Sequence, residues 1–433
     1  MKSAFRLLLT TTSAVIFAGS EAYSQGNTVQ NSSDSLRLPN VIKEVILNND
    51  RVAAARYSEQ AALAKIGPAG SWDDPMLMAG VVNLPTSFDF KEDGMTMKMI
   101  GLSQNIPYAG QKGLQAGAAR AESKAAYENR RYVEIEAATN AKFAFLNLYY
   151  QNQILKDIIN QRDLLKDIAE SVLAKFRTDG ASQADISAAQ ADLWRMESDI
   201  LSAQQEVETA QNNLSALMGR EPGSSLPPPA KPSIQALPEA VQIWLDSAKR
   251  NYPPLQRLSW LADSYDLAAR SAGRMRWPML NLAANYGFRS DSPMEERMDM
   301  VGFQATLSLP FFSGRQQGAM ASSMKAMKYN VNAEAAQLRL EVESDLRTSY
   351  SKIRRLSRSL QIYRERIIPA GRDAYRSTLA GYSSDRASFA DLQRYAMTIY
   401  KDQISANQIE YELLYSIAEA ERYISAPEDF KSQ

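Results

Sequence analysis

The chain has 433 residues, and its 49 basic and 49 acidic side chains balance, which argues against a polyanionic partner such as nucleic acid. It contains no Cys and no His, so thiolate or imidazole metal sites, Cys nucleophiles and Ser-His-Asp triads are excluded. No carboxylate motif for catalysis stands out. We therefore expect no enzyme activity, no cofactor, no bound metal and no catalytic residue.

Residues 1–24 are predicted to be a secretory signal peptide. Lys2 and Arg6 precede a short apolar stretch, and small residues at Ala22 and Ser24 offer a cleavage site before Gln25. A membrane anchor is the alternative, but Thr and Ser interrupt the stretch. Because the chain has no Cys, an N-terminal lipid anchor is excluded. The rest of the sequence contains no uninterrupted run of about 18 apolar residues, so no transmembrane helix is predicted. Two classes of protein are still compatible with these features: a periplasmic soluble protein and an outer-membrane β-barrel.

The sequence resembles itself at an offset of about 200 residues. Pro75-Met76-Leu77 recurs 203 residues later as Pro278-Met279-Leu280. The segment FRTDGASQADI at 176–186 recurs 206 residues later as YSSDRASFADL at 382–392. The order of the matches is kept, which indicates an internal duplication.

The duplication predicts five segments along the chain. They are a signal peptide at 1–24, a first repeat at 25–218, a linker at 219–236, a second repeat at 237–425 and a tail at 426–433. The linker is rich in Pro, Gly and Ser, which predicts an extended segment. Each repeat should hold a short helix (41–66 and 240–272), a β-hairpin and a pair of long helices.

The predicted strands alternate between apolar and polar residues, as in a sheet with two different faces. In the second repeat, for example, Val301, Phe303, Ala305 and Leu307 alternate with Gly302, Gln304 and Thr306. This pattern fits a lipid-facing barrel with a wet lumen. An antiparallel sheet that packs on a soluble core remains the alternative.

Aromatic residues favour the barrel. They flank the hairpins at the ends where strand meets helix, as an interfacial belt requires: Trp72, Tyr108, Trp277, Phe311 and Phe312. One chain supplies four strands, which cannot close a barrel, and an open edge in lipid leaves backbone groups unpaired. The barrel interpretation therefore requires oligomerisation, and three chains would supply 12 strands.

The helical pattern from Gln111 to Phe176 contains no Pro and predicts one helix of roughly 100 Å. The returning helix carries a heptad seam, which is typical of coiled coils. The first seam position holds Ile186, Leu193, Ile200, Val207 and Leu214, and the second holds Ala189, Met196, Ala203, Ala210 and Leu217. In the second repeat, Asp402 and Ser416 interrupt the second seam. Pro369 should break or kink the helix that begins near Arg315.

Each helix pair reverses at a polar turn, and Ser182 and Ser388 are predicted N-caps of the returning helices. Asp185 and Asp391 follow on the first helical turns, where the helix dipole favours a negative charge. They could serve as caps alone. In a ring of chains they could also form an acidic constriction that attracts cations.

These features together resemble the TolC family of outer-membrane efflux proteins. The resemblance rests on the duplicated plan, the two turn segments with their Ser-x-x-Asp pattern, and the junctions Gln104-Asn105-Ile106-Pro107 and Ser308-Leu309-Pro310. It implies an α+β membrane protein: a homotrimer with a 12-stranded β-barrel in the lipid of the outer membrane and a coiled-coil tunnel in the periplasm. It also implies docking to a periplasmic adaptor (membrane fusion protein) and an inner-membrane RND-type pump.

Within the family, the sequence resembles the heavy-metal (CzcC/CusC-like) branch. Asp74-Pro75-Met76-Leu77, Asn83-Leu84-Pro85 and Met95-Thr96-Met97 carry this likeness. The resemblance also implies a gate at the helical tips, for which Asp185, Tyr382, Arg386 and Asp391 match. Arg394 occupies a position where some members carry a second acidic residue, so the charge pattern of the gate differs here.

Methionines cluster in the predicted hairpins, at Met95, Met97 and Met99 and again at Met294, Met298 and Met300. Thioethers are soft ligands for Cu(I) or Ag(I). These residues could also be ordinary apolar side chains of a barrel. The sequence predicts an exit duct for efflux, and the competing hypothesis is a periplasmic coiled-coil scaffold or adaptor without a barrel.

Overall fold

A computed structural model describes residues 35–221, 223–232, 240–291 and 296–424. The predicted signal peptide, the tail and parts of the linker lie outside the described residues. Met294 lies outside them as well. None of the described helices is long and apolar enough to span a membrane.

The first half of the described chain contains three short helices, a β-hairpin and two long helices. In order they are α1 Leu38–Asn48, α2 Asp50–Ala64, α3 Ile66–Gly70, β1 Met76–Val82, β2 Met97–Ile106, α4 Gln111–Phe176 and α5 Gln183–Leu217. The bounds of α4 confirm the predicted long helix. Between the halves, the extended linker runs beside Leu36, where the backbone N–H of Ala230 donates to the Leu36 oxygen at 2.8 Å.

The second half follows nearly the same order. It contains α6 Val241–Asn251, α7 Pro253–Arg274, β3 Leu280–Arg289, β4 Met300–Leu307, α8 Gln317–Ile362, a π-helical turn Tyr363–Ile367, α9 Ile368–Ser383 and α10 Phe389–Ile424. The common order agrees with a duplication, although the duplication itself stays a prediction.

The prediction of one continuous short helix before each hairpin was wrong. In the first half the helix ends at Asn49, whose side-chain oxygen accepts the Arg51 backbone N–H at 2.9 Å and caps a new helix. In the second half it ends at Tyr252, because Pro253 has no backbone N–H to continue the bonding and instead starts α7.

Pro369 changes the helix without ending it. The Ile368 backbone N–H bonds the Tyr363 oxygen, five residues back, so the chain makes a π-helical turn before α9. A π-turn accommodates a residue that cannot complete the regular four-residue ladder. The helix is therefore not broken at Pro369 as one of the two predicted outcomes required, and the irregularity takes the form of a π-helical turn.

The four strands form one antiparallel sheet in the order β1-β2-β3-β4. The central pairing joins the two hairpins, and it runs from Met97 opposite Arg289 to Ile106 opposite Leu280. Within the described residues, β1 and β4 each have an edge with no strand partner. Antiparallel order brings the ends of β2 and β4 and the starts of β1 and β3 to the same end of the sheet.

The register separates the two faces of the sheet as the alternation predicts. One face carries Leu77, Ile100, Leu102, Leu282, Tyr286, Val301 and Phe303, and the other carries Gly101, Ser103, Asn281, Asn285, Gly302, Gln304 and Thr306. Among the described residues no layer covers the apolar face, and Phe303 is 84% exposed on it.

The predicted seam of α5 is buried against α4 over most of its length. Ala189, Met196, Ile200, Ala203, Ala210 and Leu214 all face the interior. In α10, Leu392, Ile399, Ala406 and Leu413 are buried in the same manner. Ser416, which interrupts the second seam, is fully buried, and its hydroxyl donates to the Glu412 carbonyl at 2.7 Å. The polar interruption is thus accommodated by a local bond.

The two helix pairs contact each other between α4 and α10. The rings of Phe143 and Tyr415 stack with centroids 3.9 Å apart, and Tyr150 stacks on Tyr411 at 4.8 Å. Next to Phe143, Lys142 of α4 forms an ion pair with Glu421 of α10. The contacts place the turns at the ends of the two pairs side by side.

Candidate functional site

The turn between α4 and α5 ends in a capping box. The Ser182 backbone N–H donates to Asp185 Oδ2 at 2.9 Å, and the Asp185 backbone N–H donates to Ser182 Oγ at 3.2 Å. The turn is made by Asp179, which has a φ of 59°, a left-handed conformation that Asp tolerates. The predicted N-cap at Ser182 is confirmed.

The turn between α9 and α10 has the same geometry. The Asp391 backbone N–H donates to Ser388 Oγ at 3.1 Å, and the Ser388 hydroxyl donates to Asp391 Oδ2 at 2.7 Å. Arg394 binds the other oxygen, Oδ1, at 2.6 Å. The bond from Ser388 and, to a smaller extent, the charge of Arg394 lower the pKa of Asp391. Asp391 is therefore ionised at neutral pH.

Lys175 joins the two turns, a contact that the sequence did not indicate. Its ammonium group donates to the Tyr382 carbonyl oxygen and to the Asp385 carboxylate. The same Nζ lies 4.4 Å from the centre of the Tyr382 ring. Since the residue at the equivalent place in the second half is Gly381, comparison of the halves provides no signal for this contact.

Tyr382 lies at the centre of this cluster and is only 5% exposed. Burial, and then the nearby charges of Asp185 and Asp385, raise the pKa of its phenol. Its hydroxyl has no hydrogen-bond partner among the described residues. The fold thus brings Tyr382 and Asp185 together, as expected for the two halves of one site.

The two arginines of the predicted site bind within their own turn. Arg386 donates from Nε to Ser384 Oγ at 3.0 Å, and Arg394 binds Asp391. Neither has a described bond to Asp185 in a single chain. We refer to Lys175, Asp185, Tyr382, Asp385 and Asp391 as the tip cluster.

The predicted aromatic residues lie at one end of the sheet. Tyr108, just after β2, stacks on Trp277, just before β3, with ring centroids 5.4 Å apart. The other three are largely exposed: Trp72 at 59%, Phe311 at 83% and Phe312 at 74%. The arrangement is that of an aromatic rim between the sheet and the helices.

The part of the chain that the structure describes contains no group of three or more carboxylate side chains that could hold a metal ion. The acidic residues of the tip cluster are instead bonded to Ser, Lys and Arg. The function that the site can perform within one chain is therefore electrostatic, because the carboxyl groups of Asp185 and Asp391 lie on adjacent turns that Lys175 ties together.

The fold is that of outer-membrane channel proteins. The outer-membrane channel OprN matches with a TM-score of 0.75 over 90% of this chain and 90% of its own, at 16% identity. CusC, solved in a study of folding and transmembrane channel formation, matches at 0.75 with 15% identity, over 90% and 92% of the two chains. The open MtrE outer-membrane channel of Neisseria gonorrhoeae matches at 0.73 with 15% identity, over 92% and 91%.

Comparison by sequence found no matching family model and no matching curated protein. The low identity to the solved structures means that they establish the fold and not the cargo.

Proposed function

We propose that this protein is the outer-membrane exit duct of a tripartite efflux system. The observation that carries the proposal is the match to outer-membrane channels over nine-tenths of both chains, helices and sheet included. The duct conducts passively, and the energy for transport comes from its partners.

The four-stranded sheet of one chain can form only part of the wall of a barrel. Its apolar face has no covering layer, and both edge strands lack a partner among the described residues. Lipid would cover the apolar face, but unpaired edge groups in lipid cost several kcal/mol each. Pairing of β1 with β4 of the next copy removes both edges, and three copies provide a 12-stranded barrel. The long helices then extend from the aromatic rim into the periplasm as a tunnel.

The tip cluster lies at the far end of the tunnel from the sheet. In the proposed trimer, Asp185 and Asp391 contribute six carboxylates at the periplasmic entrance, where a periplasmic adaptor and an inner-membrane RND-type pump would deliver substrate. Heavy-metal cations are the proposed substrate class, on the basis of the CzcC/CusC-like segments of the sequence. A negative entrance attracts such ions.

Separation of membranes tests this proposal. The protein should fractionate with the outer membrane, and the purified protein should conduct ions in a planar bilayer. Recovery in the soluble periplasmic fraction without conductance would support a coiled-coil scaffold and overturn the duct.

Two adjacent residues of β4 provide a matched pair for the same question. Phe303→Arg places a charge on the lipid face and should reduce assembly in the outer membrane, at a cost of about 2–4 kcal/mol near the bilayer centre. Gln304→Arg places the same charge on the polar face and should assemble normally. Equal assembly of the two variants would contradict the assignment of the faces.

A further inference from the structure

Methionines interrupt the polar face of the sheet at the end opposite to the aromatic rim. Directly paired residues of neighbouring strands lie on the same face. Met99 of β2 pairs with Gly287 of β3, and Gly287 pairs with Met300 of β4. Met97 lies two residues from Met99 on the same strand and therefore on the same face. These three thioethers are on the face of Ser103, Asn285 and Gln304, and not on the face of the leucines and Phe303.

Gly287 has no side chain, so it leaves a gap between Met99 and Met300 in the row that the three residues form. The Cα atoms of Met99 and Met300 are two strand spacings apart, or about 10 Å, with no side chain between them. Met97 Sδ already lies over this gap, 2.6 Å from the position that a Cβ of Gly287 would occupy. Met99 and Met300 lie on either side of Gly287 in the register, and the flexible methionine side chain can reach toward the Met97 sulfur from both positions.

The nearest cationic side chain is directed away from the gap. Arg289 pairs with Met97 in the register, but its Nε donates at 3.1 Å to the carbonyl oxygen of Gly94, in the loop that connects β1 to β2. Its backbone N–H is bonded to Asp299 Oδ1 at 3.0 Å. The guanidinium is thus held by the loop. Met300 is 44% exposed, and Met97 and Met99 are half-buried.

We propose that Met97, Met99 and Met300 form a binding site for one soft monovalent cation of the Cu(I) or Ag(I) type. Three thioethers supply soft, uncharged ligands that such ions prefer over water and carboxylates. The chain has no Cys and no His, so methionine provides its only soft side-chain ligands. The site requires the sheet register alone and does not depend on the proposed transport function.

Titration of purified, tag-free protein with Ag(I) in chloride-free buffer tests the site by calorimetry. We expect one strong Ag(I) site per chain that excess Mg²⁺ does not displace, because Mg²⁺ binds carboxylates and not thioethers. The triple variant Met97→Leu, Met99→Leu, Met300→Leu should lose this site, since leucine preserves the volume and removes the sulfur.

A second triple variant is the matched control. Met320→Leu, Met324→Leu and Met327→Leu remove the same number of thioethers from α8 and should leave the strong site intact. Loss of the site in the control with retention in the sheet variant would overturn the proposal. Absence of strong Ag(I) binding in the wild-type protein would overturn it as well.

Oxidation of the wild-type protein tests the site without any substitution. Ag(I) should protect Met97, Met99 and Met300 from peroxide, as measured by mass spectrometry of peptides, whereas Met320 and Met327 on α8 should oxidise at the same rate with and without the ion. Equal oxidation of the sheet methionines with and without Ag(I) would overturn the site. Conductance in a planar bilayer is measured separately, so failure of the duct and failure of the site are distinguishable.

Discussion

In the proposed duct, Asp185 and Asp391 would combine two roles at the residue scale, because a helix cap and a gate charge use different properties of the same carboxylate. The bonds to Ser182 and Ser388 fix each carboxylate on the first turn of its helix. The negative charge remains available to ions that approach the turn. Capping alone would therefore explain the local geometry. The charges of several chains can act on the same ion only when the chains assemble into a ring.

The gate prediction is tested by block of the single-channel current. Multivalent cations added on the periplasmic side should block the wild-type duct, Asp391→Ala should weaken the block, and Asp185→Ala in addition should weaken it further. Glu208→Ala, an exposed acidic residue of α5 remote from the turn, serves as the control. Wild-type selectivity and block in the double variant would mean that both carboxylates are helix caps only.

The block should also depend on pH in a defined direction. Because the pKa of Asp391 is lowered below the usual 3.8, its folded-state bonds are fully present above that value and are lost as the pH falls through the lowered pKa. Block should therefore persist from about pH 8 to about pH 5 and disappear only in more acidic solution. Loss of block near neutral pH would indicate a different titrating group.

Lys175 leads to a second prediction at this scale. Lys175→Met keeps the aliphatic stem but removes the bonds to the Tyr382 carbonyl and Asp385, so the two turns are no longer tied within a chain. Single-channel conductance should rise. Lys166→Met, at an exposed position of the same helix, should leave it unchanged. Equal conductance of both variants and the wild type would show that Lys175 does not restrain the turns.

At the scale of elements, the seam between α4 and α5 allows a direct comparison of buried and exposed positions. Ile200 is 7% exposed, and Ile200→Asp buries a carboxylate without a partner, at a cost on the order of 3–5 kcal/mol. Glu197→Gln removes an ion pair with Arg162 that is partly exposed and contributes about 1 kcal/mol at most. In thermal unfolding followed by circular dichroism, Ile200→Asp should therefore lower the melting temperature much more than Glu197→Gln does. Similar melting of the variants would contradict the seam.

At the scale of the whole molecule, the proposed barrel requires more than one chain. We expect light scattering of the detergent-extracted protein to give the mass of a trimer, because four strands leave two open edges that cannot remain in lipid. A stable monomer with intact β-structure in a membrane-mimicking detergent would contradict the barrel.

The sequence by itself determined the elements whose cause is local. The heptad of α5, the Pro-free run of α4 and the alternation of the strands each act within one segment, and the structure reproduces them. The irregularity at Pro369 is equally local, because it follows from one missing N–H. The short helices divided at Asn49 and Tyr252 because a cap and a proline interrupted an otherwise continuous apolar pattern.

Only the tertiary structure decided which distant residues meet. The pairing of β2 with β3 joins residues that are 174 to 192 positions apart, and together with the pairing of β3 with β4 it aligns Met99, Gly287 and Met300 in one row. The packing of α4 against α10 sets the turns side by side, and this is what allows Lys175 to reach Tyr382 and Asp385. Such contacts depend on register and on side-chain direction across two elements, which periodicity within either element does not specify.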